Sequence, residues 1–162
     1  MKWHYISPLV VFFIVLLAQI LIVPLLSIAG IIPDLVLIAL VYYSISRNQL
    51  YGTVLGATYG LLIDLITGTL LGSSMLAKTM AGFSAGYFAS ETKKEKNTGT
   101  YNFSFIVLLC ALVNDVVYSF FSAFDVQANI ITLFFEQALL PALYTAVVSV
   151  ILVLTPFRRR KI

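Results

Sequence analysis

Four charged side chains stand inside long apolar runs of this 162-residue chain: Asp64, Lys78, Asp115 and Glu136. Burying one charge near a bilayer centre costs at least ~2.5–3.5 kcal/mol on insertion scales, and less near the interface, so such groups need partners. Three chemistries fit. Asp64 and Asp115 could share a proton, as the dyad of an intramembrane aspartic protease does. The set could hold a polar ligand or an ion. It could also form contacts between helices that pin a bundle, which is the plainer use. Other chemistry finds no support. His4 is the only histidine and Cys110 the only cysteine, so neither a His-based metal site nor an intrachain disulfide is expected. No phosphate-binding loop, nucleophile elbow or Cys pair appears, and no cofactor is implied.

The elements that carry these charges follow from composition. Hydrophobic residues make up 60 % of the chain and charged residues 10 %, with a mean hydropathy of +1.01. Soluble domains carry about 25 % charged residues, so this chain lacks the polar coat of a water-soluble monomer. Continuous apolar runs such as Val10–Leu17 and Ile106–Val113 exclude the alternation a membrane barrel needs. The fold expected is all-α, a single membrane domain over 1–162 with six transmembrane helices at about 6–29, 33–46, 50–67, 73–90, 101–122 and 129–155. The first run is too long for a signal-peptide core and is read as a span. Pro33 and Asp34 fall at the first turn of the short second span, where a fixed φ and a negative charge both suit a helix start. Pro141 is expected to kink the sixth.

Orientation comes from the basic residues. Lys2, Arg47, Lys93, Lys94, Lys96, Arg158, Arg159, Arg160 and Lys161 all fall on one side of a six-span chain, and the opposite loops hold none. That places both termini in the cytoplasm. Arg158–Lys161 beyond the last span reads as topology and anionic-lipid contact, not as a nucleic-acid site. Tyr42, Tyr43, Tyr51 and Tyr101 stand near span ends, as an interfacial belt would.

Seven of the nine glycines lie between Gly52 and Gly86. Span three carries Gly52, Gly56, Gly60, Asp64 and Gly68 at steps of four, and Gly72 continues the interval. Span four carries Ser74, Lys78, Gly82, Gly86 and Ser90 the same way. Steps of four keep to one helix face, and small residues let helix backbones approach in lipid. A tight hairpin of spans three and four is expected, with an Asp64–Lys78 ion pair near its outer end.

The order Pro33-Asp34-Leu35, then Gly56, Gly60, Asp64-Leu65, Gly68 and Gly72, then Leu76-Ala77 and Gly86-Tyr87, resembles the MreD family of rod shape-determining proteins. Length, span number, Asp115 in an apolar fifth span and the short basic tail are similar too. The resemblance implies a multi-pass protein of the bacterial cytoplasmic (inner) membrane in the cell-elongation machinery. Its implied partners are MreC, RodA with a class B penicillin-binding protein, MreB filaments and membrane lipids. No reaction is attributed to that family, so a scaffold without enzymatic activity is implied. Two rivals differ in kind. A substrate-binding subunit of an energy-coupling-factor vitamin transporter also has six helices, but one indole, Trp3, and few outer polar donors make a poor vitamin pocket. The protease reading lacks the basic and Asn residues that accompany such dyads.

Overall fold

The computed structural model describes residues 3–21, 27, 30–68, 70–89, 101–123 and 134–154. Their regular elements are all helical: α1 (Trp3–Leu21), α2 (Leu35–Ser46), α3 (Gln49–Thr67), α4 (Ser73–Tyr87), α5 (Tyr101–Ala123), a π-helical turn (Phe134–Leu139) and α6 (Leu140–Leu154). α3, α4 and α5 follow the apolar runs to within three residues. Four expected limits lie outside the described residues: Ala29 at the end of the first run, Ser90 at the end of the fourth, and Asn129 and Thr155 at the two ends of the sixth.

Local chemistry sets the helix ends. α2 begins at Leu35, not at Pro33. Asp34 stands just before the helix in extended conformation, and its carboxylate accepts from the Leu37 N–H at 2.9 Å. A carboxylate outside the first turn reaches the unpaired N–H groups better than one inside it. Only Arg47 and Asn48 separate α2 from α3, and the Asn48 side chain caps α3 through the Tyr51 N–H at 2.8 Å. Gly68, at φ +67°, ends α3 in the left-handed conformation that glycine adopts without strain.

α2 is the shortest α-helix and the central one, touching α1, α3, α4, α5 and α6. Its residues Val36, Leu37, Leu40, Val41 and Ile45 are buried, while Leu35, Ala39, Tyr42 and Tyr43 on the other side are half-buried. A helix apolar all round belongs inside a bundle. α1 joins α3 through Tyr59, which stacks on Phe12 with ring centroids 4.2 Å apart and donates to the Pro8 carbonyl at 2.6 Å.

The outward faces are apolar as well. Ile14, Val54, Leu65, Met80, Phe105, Val147 and Ile151 are all exposed, which is the surface that lipid, not water, favours. Gln49–Thr67 and Tyr101–Phe121 are each long and apolar enough to cross a membrane, while α2 and α6 are apolar but shorter. At ~1.5 Å per residue, the 12 residues of α2 cover roughly 18 Å of a ~30 Å hydrocarbon core.

The expected disturbance at Pro141 is a change of helix type. Proline has no N–H for the carbonyl four residues before it. The π-helical turn immediately upstream supplies an i→i+5 pattern, which moves the donor past the proline.

Candidate functional site

The α3–α4 contact is a backbone contact. A Cβ placed on Gly56 would fall on the Lys78 carbonyl, one on Gly60 on the Ser74 carbonyl, and one on Gly82 on the Gly52 carbonyl. On Gly86 it would meet the Gln49 backbone. Gly68 and Gly72 have open space around them, and their positive φ values of 67° and 105° fit them to the turn instead. The two sets of glycines therefore do different work. One lets two helices touch, and the other turns the chain between them.

At the turn the expected Asp64–Lys78 pair is not formed. Asp64 is 1 % exposed, and its carboxylate accepts backbone N–H groups of Gly72 at 2.9 Å, Ser74 at 3.2 Å and Met75 at 3.2 Å. These are orphan donors of the α4 N-terminus. Gly72 holds the capping position and has no side chain to offer. Asp64, at the end of the preceding helix, takes over that role, and its charge also suits the positive end of the α4 dipole. Asp64 thus acts as a capping carboxylate for the helix that follows its own.

Removing it should cost stability independently of Lys78. Asp64→Leu leaves three N–H groups without their acceptor, and thermal unfolding in detergent should show a loss of about 2–3 kcal/mol. Asp64→Asn keeps one acceptor oxygen and should lose less. Combining Asp64→Leu with Lys78→Leu should be additive to within about 0.5 kcal/mol, as for sites without a shared interaction. A double variant more stable than Asp64→Leu alone would restore the pairing expected from the sequence.

Lys78 instead forms an ion pair with Asp34 across α4 and α2. The lysine is almost fully buried, and the aspartate side chain is 19 % exposed. Its other carboxylate oxygen caps α2, and its own N–H donates to Thr145 Oγ1 of α6 at 3.0 Å. Next to it, the Val36 N–H donates to Gln19 Oε1 of α1 at 3.0 Å. Asp115 of α5 lies within electrostatic range of both Asp34 and Lys78, and Asn114 donates to it at 2.8 Å. The start of the short central helix is thus the place where side chains from α1, α2, α4 and α6 meet, with α5 close by.

The first N–H groups of a helix have no acceptor within it, and inside a bundle such backbone must be satisfied by protein. Gln19 and Asp34 supply that satisfaction, and Lys78 balances the charge. Gln19 and Thr145 escaped the reading of the sequence, although each is an isolated polar residue in an apolar run. Pro33 is buried beside Asp34. Glu136 does not turn inward: it lies on the π-helical turn with its side chain exposed. Among the described residues no group of acids, histidines or cysteines has the makings of a metal centre.

A sequence model described as rod shape-determining protein MreD matches residues 2–158. No curated protein and no solved structure matches the chain.

Proposed function

The chain belongs to the MreD family, a membrane protein family with a shape-determining structural role, and on that premise we propose that it is a scaffold of the cell-elongation machinery. In this reading the chain crosses the bacterial inner membrane six times with both termini in the cytoplasm. It holds MreC and a cell-wall synthase, RodA with its class B penicillin-binding protein, in register across the bilayer, alongside MreB filaments.

The observation that carries the reading is the direction in which polarity points. Asp34, Asp64, Lys78, Gln19 and Thr145 are engaged with helix ends and with one another, while the outer faces present large apolar side chains. A body of this kind offers lipid-facing helix surfaces for docking.

Depletion in rod-shaped cells, followed by microscopy and membrane pull-down, tests the reading. Cells should widen and round, and MreC should be recovered with the tagged chain. Rods that keep their shape, with no cell-wall partner recovered, would defeat it.

A further inference from the structure

One charge of the polar centre is left over. Asp34 and Lys78 form an ion pair, and the Asp64 carboxylate is taken up by the α4 N-terminus. Asp115 of α5 lies within electrostatic range of Asp34 and Lys78 but has no ion pair of its own among the described residues. Asp34 and Asp115 against Lys78 leave an excess of one negative charge. Arg47 stands at the far end of α2 and is no remedy: the 12 helical residues between it and Asp34 span roughly 18 Å.

A second, separate observation points the same way. Asn114 is 6 % exposed and donates through Nδ2 to Asp115 at 2.8 Å. Its Oδ1 is buried with no hydrogen-bond partner among the described residues. A buried acceptor left in that state costs about 1–3 kcal/mol. A carboxylate and an orphaned amide oxygen side by side suit a cation with several N–H donors, an ammonium or a guanidinium.

The pair is also accessible from outside the bundle. Asp115 is half-buried, and its neighbour Val116 is exposed together with Phe105 and Leu109 of the same helix. Apolar side chains at these spacings give another membrane helix a face to pack on. Asp115 stands eight residues before the end of α5 at Ala123, about 12 Å along the helix. A basic side chain on a neighbouring span carries the complementary burial cost, and its long stem lets it reach sideways to a carboxylate at that depth. A second copy of this chain cannot supply it through Lys78, which is buried and held by Asp34.

We propose that Asp115 and Asn114 receive a lysine or arginine side chain from a partner's transmembrane helix packed along the exposed strip of α5. The proposal deepens the scaffold reading by naming the face that holds a partner, and it rests on the membrane placement given with that reading.

The probe is a synthetic transmembrane peptide of leucine and alanine with a single lysine about 12 Å from one end. Energy transfer between the labelled peptide and the full chain in liposomes reads the association. The lysine peptide should bind about tenfold more tightly than the same peptide with leucine in its place. Asp115→Asn should remove that preference and Asp115→Glu should keep most of it. Glu136→Gln, which neutralises an exposed acid on another element, should leave it unchanged. Equal binding of the two peptides by the parent chain, a comparison that needs no variant to fold, would overturn the site. A folded Asp115→Asn variant that keeps the preference would do the same. Self-association of the chain without peptide, lost in Asp115→Asn, would give the face to a second copy and also overturn the proposal. Rods that keep their shape on depletion, with the lysine preference intact, would defeat the scaffold reading and leave the site standing.

Discussion

Gly56→Leu should be among the most damaging single substitutions in the chain, with a loss of at least about 3 kcal/mol and little folded protein in the membrane. A Cβ at position 56 already meets the Lys78 carbonyl carbon at 2.7 Å and Thr79 Cα at 3.1 Å. These are backbone atoms and cannot rotate away, so the whole of α4 must move. Lipid offers no hydrophobic reason for the two helices to reassociate at a greater distance, because the gain came from close contact. The displacement also carries Lys78 away from Asp34, coupling the glycine seam to the start of α2. Even Gly56→Ala should destabilise measurably. Gly68→Ala, where space is open and only the positive φ is violated, should cost about 1–2 kcal/mol. Thermal unfolding of the three variants in detergent gives the ranking, and a neutral Gly56→Ala would refute the backbone contact.

Lys78→Leu should cost about 3 kcal/mol by leaving the Asp34 carboxylate without its cation and within range of Asp115. Asp34→Asn alone should also destabilise, because it leaves the lysine charge buried and unpaired. The two together should be more stable than Lys78→Leu alone, since Asn still caps the Leu37 N–H and neither member of the pair is left as a lone charge. A double-mutant cycle read by unfolding in detergent measures this coupling. If the two losses simply add, the ion pair contributes nothing.

The hairpin was legible because its signal is local: glycines at steps of four on consecutive helices admit one arrangement, face to face. The partner of Lys78 was not. Asp34 and Asp64 both stand near the N-terminal end of α4, and the choice between them depends on which helices flank α4 in space. What the sequence did contain was a vacancy. Gly72 opens α4 without a capping side chain, and the Asp64 carboxylate near the end of α3 serves it. Of the central place of α2 the sequence showed only that Leu35–Ser46 carries no charge, and an apolar face can meet lipid as readily as other helices. Its shortness concealed the rest, because a run of that length reads as a marginal span rather than as the hub of a bundle. Gln19 and Thr145 mark the same gap. An isolated polar residue announces that a partner exists, and only the assembled helices say which one.

The π-helical turn ahead of Pro141 has a consequence for how α6 tolerates change in length. A turn of that type accommodates one more residue than an α-helical turn in the same rise. Deleting a single residue between Phe134 and Leu139 would therefore return the turn to α geometry and keep the register of the helix on either side. Thr145 and its bond to Asp34 would stay in place, while the carbonyl four residues before Pro141 would lose its donor. A one-residue deletion at this point would thus exchange the bulge for one unpaired carbonyl, leaving the polar centre undisturbed.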